Sequence, residues 1–108
     1  MKKTNKFQLG DYVFVKPFEE LCKINNISPN NENYKKHIDY MHSKGSLHIH
    51  YIYAPGELTY SAETEPTHLR GKKTECYYYN MHTPRSKMYL FREDELILDE
   101  TKERNPKP

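Results

Sequence analysis

Hydrophobic and polar positions alternate in several short segments of the chain, and this pattern predicts a small domain rich in β-strands. Residues 12–15 (YVFV) are β-branched and aromatic, and they directly follow the turn signal Gly10-Asp11. The clearest alternation lies in residues 46–54. One face of that strand would carry Leu47, Ile49, Tyr51 and Tyr53, and the other His48, His50 and Ile52.

The remaining strands are predicted at regular turn signals. Pro55-Gly56 would turn the chain into a hairpin strand at residues 57–62, and further strands are expected at residues 74–81 and 87–92. Residues 93–96 suit a single 3₁₀ turn before a last short strand. One domain would span residues 7–100, with flexible tails at residues 1–6 and 101–108.

Two segments have a helical pattern instead. Residues 18–24 can form a short helix after Pro17, and residues 32–44 a longer one, with Asn30 or Asn31 as N-cap and Gly45 as its C-terminal stop. The apolar stripe of the longer helix is Tyr34, Ile38 and Met41. We expect this insert, at about residues 25–45, to cap the sheet. If it stands away instead, an exposed patch that needs a partner would form from Tyr34, Tyr40 and Met41.

Composition places the chain among folded proteins and excludes a strongly basic one. Hydrophobic residues make up only 35%, but ten tyrosines can each bury a ring while the hydroxyl stays wet. The net charge of +2 is too small to indicate nucleic-acid binding by itself. No stretch approaches a membrane span and the start lacks an apolar signal core, so we expect a cytoplasmic protein with reduced Cys22 and Cys76.

Four segments together resemble the small SH3-like proteins of bacteriophages and mobile elements: FQLGDYVFVKPFEEL, the helical stretch, LRGKK before a strand, and KMYLFREDELIL. The resemblance implies an α+β fold, mainly β: a small SH3-like open barrel of about five antiparallel strands with one or two short helices. It also implies a non-enzymatic inhibitor or modulator that docks on a host protein in the host cytoplasm. Anti-CRISPR proteins are among the inhibitors of this kind.

Candidate chemistry is sparse, and the chain is expected not to be an enzyme and to hold no cofactor. His48 and His50 form an H-x-H pair on one strand face, which would supply two zinc ligands but needs a third from elsewhere. The alternative is that both rings line a solvated face. Cys22 is predicted on an apolar helix face, where a thiol is inert. The chain carries no Ser-His-Asp order and no phosphate-binding or dinucleotide fingerprint.

A basic and aromatic strand is the predicted binding surface. Tyr77 and Tyr79 would share one strand face, with basic residues at both strand ends. Such a face either docks a protein through tyrosine and arginine or stacks bases and holds phosphates, and nucleic-acid binding is the alternative function. The alternative is that the two tyrosines cover the core. The candidate partner-binding residues are Arg70, Lys72, Lys73, Tyr77, Tyr79, Arg85 and Lys87, with Tyr34 and Tyr40 from the insert.

Overall fold

A computed structural model of the chain describes residues 6–59, 71–83 and 87–105. These residues form two helices and two small antiparallel sheets of three strands each, which confirms the α+β class. The elements in chain order are β1 (Tyr12–Val15), α1 (Phe18–Asn25), α2 (Glu32–Ser43), β2 (Leu47–His48), β3 (Tyr51–Tyr53), β4 (Tyr78–Asn80), β5 (Leu90–Arg92) and β6 (Leu96–Leu98). Two 3₁₀ turns, Lys87–Tyr89 and Glu93–Glu95, precede β5 and β6.

The first sheet joins the two ends of the chain in the order β2-β1-β6. Its inner face is aliphatic, because the cross-strand pairs Val13–Leu47 and Val15–Leu96 are buried. Its outer face is exposed and carries the cross-strand pair Phe14 and Ile97. The first and last strands of the domain therefore lie side by side, since β1 pairs with β6 antiparallel.

The second sheet has the order β3-β4-β5, with β4 in the centre. Tyr79 pairs with Ile52 on one side and with Phe91 on the other, and it has no solvent-accessible surface. Tyr78, which points to the opposite face, is also buried. The prediction that Tyr79 belongs to an exposed binding surface is therefore wrong: β4 is covered on both faces, and its tyrosines belong to the interior.

Residues 46–54 do not form one continuous strand, because the chain changes sheets at Ile49. The Ile49 amide donates to the carbonyl of Asp11, the residue before β1 of the first sheet, at 2.9 Å. The next amide, that of His50, donates to the carbonyl of Asn80 on β4 of the second sheet, also at 2.9 Å. The alternation of faces also breaks here, since Ile49 is buried but Tyr51 is exposed. Strands that switch sheets in this way form the corners of orthogonally packed sheets.

The helices follow the predicted boundaries closely. Asn31 caps α2, as its side chain accepts a hydrogen bond from the Tyr34 amide at 3.0 Å, and Gly45 follows the helix with φ of 71°. The helix packs against β1 and buries Tyr34, Ile38 and Met41. The insert therefore covers the core, and the alternative of a detached helix with Tyr34 and Met41 exposed is wrong.

In the part that the structure describes, the hairpin predicted between residues 46–54 and 57–62 does not form, because β3 pairs with β4 instead. Thr59 forms an isolated bridge with Lys73, and the Thr74 amide donates to the Leu58 carbonyl at 2.8 Å. The other residues of the strand predicted at 57–62 lie outside the described residues. Within residues 6–59, 71–83 and 87–105 the two sheets do not close into a barrel. Neither helix in these ranges has the length and apolar character needed to cross a membrane.

The segment after β6 is bound to the start of the domain as far as Asn105. The Arg104 guanidinium lies 2.7 Å from the Asp11 carboxylate, and the Asn105 amide donates to the Gly10 carbonyl at 2.9 Å. Arg104 and Asn105, predicted to belong to a loose tail, therefore make specific contacts with the Gly10-Asp11 turn.

Candidate functional site

An exposed aromatic patch lies where α2 passes the 3₁₀ turn Lys87–Tyr89. The hydroxyls of Tyr40 and Tyr89 are 3.4 Å apart, and the His82 ring stacks on the Tyr89 ring at 4.9 Å between centroids. Tyr40 is 43% exposed and Met88 is 47% exposed. We call this surface the Tyr40 patch, and it comprises Tyr40, Lys44, His82, Met88 and Tyr89.

The patch is held in place by buried neighbours on both elements. On α2, Tyr40 lies beside Met41, which points into the core. His37, one turn earlier, donates from Nε2 to the Met88 carbonyl at 2.8 Å, and its ring stacks against Phe91. This hydrogen bond connects the 3₁₀ turn to α2, so it positions the part of the Tyr40 patch on the turn relative to the part on the helix. Side chains positioned in this way lose less conformational entropy on binding.

The electrostatics of the patch are set by Lys44. Its ammonium lies 4.8 Å from the centroid of the Tyr40 ring, in cation–π geometry. The pKa of Tyr40 is lowered, first by the hydrogen bond with Tyr89 and then by Lys44, whose own pKa is raised by its hydrogen bond with Tyr40. The patch therefore combines exposed apolar area with a fixed positive charge.

The histidine pair lies elsewhere, at the junction of the two sheets. The rings of His48 and His50 are perpendicular, with centroids 4.9 Å apart, although the two residues do not lie on one continuous strand as predicted. His48 Nε2 already donates to the Asn105 carbonyl. The pKa of His50 is lowered by burial and by the positive charges that His48 and His82 would carry. Among the described residues no three His, Cys, Asp or Glu side chains are placed to hold a metal ion.

The predicted basic strand does not assemble as one surface in the described part of the chain. Tyr79 is buried, and its hydroxyl donates to the Glu93 carboxylate at 2.5 Å. Tyr77 is half-buried, while Lys72 and Lys73 are exposed beyond the Gly71 turn. Lys87 is exposed and begins the 3₁₀ turn of the Tyr40 patch. Arg70 and Arg85 lie outside the described residues.

A shallow depression of about 290 Å³ lies over α1. Its lining consists of Glu19, Cys22, Lys23, Ile27 and Pro29. Burial and the neighbouring Glu19 raise the pKa of the Cys22 thiol, so at neutral pH it is protonated and a poor nucleophile. Cys76 is also a free thiol, and burial raises its pKa as well. The depression therefore offers a thiol and apolar surface but no activated nucleophile.

Sequence reasoning identified Tyr40 and Lys87 but missed Lys44, His82, Met88 and Tyr89 as their neighbours. The segment at residues 87–89 was predicted as strand, which would have buried alternate side chains. It forms a 3₁₀ turn instead, and Met88 stays exposed. The i, i+4 spacing of Tyr40 and Lys44 on a helix was the signal that could have paired them.

Comparisons of the chain with protein-family models, with curated proteins and with solved structures found no match.

Proposed function

We propose that the protein is a non-enzymatic binding module that docks on a partner protein through the Tyr40 patch. The observation that carries this proposal is that Tyr40 on α2 and Met88 on the 3₁₀ turn are both exposed, and that the hydrogen bond from His37 connects these two elements. Tyrosine is enriched among the residues that dominate binding energy, and methionine packs adaptably against varied surfaces. A rigid aromatic patch of this kind supports protein docking better than catalysis.

The proposed biological role is that of an inhibitor or modulator of a host protein, encoded by a phage or mobile element and acting in the cytoplasm. It rests on the resemblance of the strand and turn segments to small SH3-like proteins. The SH3-like barrel is part of the same proposal. It is supported by the pairing of β1 with β6 and by the passage of the chain from one sheet to the other at Ile49 and His50.

The test is capture of a partner from host lysate with tagged protein, with and without nuclease, at low and high salt. We expect Tyr40→Ala to lower the affinity for the captured protein by about 2 kcal/mol, or roughly thirtyfold, as for a hot-spot tyrosine. The matched control is Tyr51→Ala, because Tyr51 is 39% exposed but lies on β3, outside the Tyr40 patch.

Two results would overturn the proposal. One is equal retention of the captured protein by the Tyr40 and Tyr51 variants, which would place the binding surface elsewhere. The other is recovery of nucleic acid alone, lost when salt is raised, since counterion release makes phosphate binding strongly salt-dependent. That second result would favour the nucleic-acid alternative, through the exposed lysines rather than through the buried Tyr79.

A further inference from the structure

The charge around the Tyr40 patch restricts the kind of protein that can cover it. Lys44 lies over the Tyr40 ring, and Lys87 directly precedes the exposed Met88. The carboxylate nearest in sequence is that of Asp39, but it forms an ion pair with Lys35 at 3.2 Å. Interactions with Tyr40 and Tyr89, first of all the hydrogen bond with Tyr40, raise the pKa of Lys44, so its ammonium keeps its positive charge at neutral pH.

Three of the acidic groups in the described residues lie together on another element. The 3₁₀ turn Glu93–Glu95 consists of three carboxylic acids, and these are engaged within the domain. Glu93 accepts from the Tyr79 hydroxyl, Asp94 accepts from the Arg92 guanidinium at 3.1 Å, and Glu95 accepts from the Asn25 amide at 3.0 Å. These three carboxylates already have partners within the domain, whereas the ammonium groups of Lys44 and Lys87 lie at the Tyr40 patch.

Covering the patch has an electrostatic consequence. A partner that packs on Tyr40 must also remove water from Lys44, because the ammonium lies 4.8 Å from the ring centroid. Removing water from a cation is strongly unfavourable unless an anion replaces the lost hydration. A neutral, apolar partner surface would leave that charge unpaired.

We infer that the partner is an acidic protein surface, with a carboxylate that pairs with Lys44 and an apolar or aromatic neighbour that packs on Met88. This inference rests on the proposed docking function and specifies the chemistry of the partner. It excludes a purely hydrophobic partner, and it predicts that Lys44 contributes to specificity as well as to affinity.

The first test uses a random copolymer of glutamate and tyrosine as the probe, observed through methionine methyl signals in NMR. Met88 is exposed, while Met41 and Met81 are buried and serve as internal references. We expect the copolymer to shift the Met88 signal and to leave the other two unchanged. An absence of any Met88 shift, or a shift with oligothymidylate but not with the copolymer, would overturn the inference.

Charge-reversal variants supply the matched comparison. Lys44→Glu should weaken copolymer binding about tenfold or more, and Lys44→Gln should weaken it in the same direction without introducing a repulsive charge. Lys102→Glu is the control, because the Lys102 ammonium lies 4.9 Å from the Tyr12 ring in the same geometry but outside the Tyr40 patch. If the Lys44 and Lys102 variants weaken copolymer binding equally, the binding depends only on the net charge of the protein, and the inference is overturned.

The same variants separate this inference from the docking proposal. If the lysate partner is lost with Tyr40→Ala but retained in full by Lys44→Glu and Lys44→Gln, the Tyr40 patch is the docking surface but its partner is not acidic there. If the partner is retained by Tyr40→Ala, the docking proposal itself fails. Loss of the partner with both the Tyr40 and Lys44 variants supports both proposals.

Discussion

Asn25 and Glu95 meet inside the domain although they are far apart in the sequence, with the Asn25 Nδ2 atom 3.0 Å from Glu95 Oε2. The same amide donates to the Tyr34 hydroxyl at 3.1 Å, and its oxygen accepts from Arg92. Asn25 therefore connects the end of α1 with α2 and with the turn before β6. Burial, followed by the charge of Glu95, raises the pKa of Tyr34 to about 12, so its hydroxyl stays protonated.

This connection predicts that Asn25→Ala is strongly destabilising. The substitution removes one hydrogen-bond partner each from the Tyr34 hydroxyl, the Glu95 carboxylate and the Arg92 guanidinium. Glu95 and Arg92 keep other partners, so the main cost falls on the buried Tyr34 hydroxyl, and a buried group left without a partner costs about 1–3 kcal/mol. We expect the free energy of unfolding to fall by about 2–3 kcal/mol, measured by urea denaturation. Asn33→Ala, at an exposed position of α2, is the control and should change it by less than about 0.5 kcal/mol. Equal effects of the two variants would contradict the proposed role of Asn25.

Burial of Tyr79 leads to a second prediction. Its ring fills the core between Phe7 and Phe91, while its hydroxyl donates to Glu93 and accepts from the Phe7 amide at 3.3 Å. Tyr79→Phe keeps the ring and removes both hydrogen bonds, so we expect a loss of about 1–2 kcal/mol in the free energy of unfolding.

The control for this measurement is Tyr51→Phe, since Tyr51 is exposed on β3 and its substitution should be nearly neutral. A Tyr79→Phe protein as stable as the wild type would show that the buried hydroxyl contributes nothing. The same comparison distinguishes a core tyrosine from a binding tyrosine, because Tyr79→Phe should leave partner affinity unchanged in the folded protein.

How far the sequence predicts this fold depends on whether the signal is local. The limits of α2 follow from two local signals. The Asn31 side chain accepts a hydrogen bond from a backbone amide of the first turn, and Gly45, with its positive φ, ends the helix. The 3₁₀ turn before the last strand is also local and was predicted. The passage of the chain from one sheet to the other at Ile49 was not predicted. The alternation of side chains does not specify the strand with which each peptide group forms its hydrogen bonds.

The candidate site was less predictable for a related reason. Tyr77, Tyr78 and Tyr79 are consecutive, and whether they face solvent depends on β4 being the central strand, which is a property of the whole sheet. Tyr40 was identified from its helical position. Its contact with Tyr89 joins residues 49 positions apart and depends on how the 3₁₀ turn packs on α2.

The contact between Arg104 and Asp11 predicts unequal effects of two substitutions. Asp11 is buried, and its second oxygen accepts from the Gln8 amide at 2.8 Å, so its carboxylate organises the turn before β1. Arg104 is mostly exposed, and an ion pair of this kind contributes little. We expect Asp11→Ala to lower the free energy of unfolding by about 2 kcal/mol and Arg104→Ala by about 0.5 kcal/mol. Equal losses in urea denaturation would contradict this assignment.

Stability should also depend on pH through His50. Burial, with the nearby His48 and His82, lowers the pKa of His50 below its ordinary value of 6.5 in the folded protein. The unfolded chain therefore binds a proton at a higher pH than the folded one. The contribution of neutral His50 to the free energy of unfolding is fully present above pH 6.5. It is lost as the pH falls through 6.5 towards the pKa of His50 in the folded protein. His50→Gln, which cannot take up a proton, should lose less stability on acidification.

The measurement is urea denaturation of the wild type and of His50→Gln at several values between about pH 7.5 and pH 5. The difference in the free energy of unfolding between the two proteins should change with pH in favour of the variant at the acidic end. Carboxylates and histidines that do not interact with His50 contribute equally to both proteins, so they cancel in this difference. The interactions of His50 with His48 and His82 are part of the effect being measured. A difference that stays constant across the range would show that His50 takes up its proton equally readily in the folded and the unfolded chain.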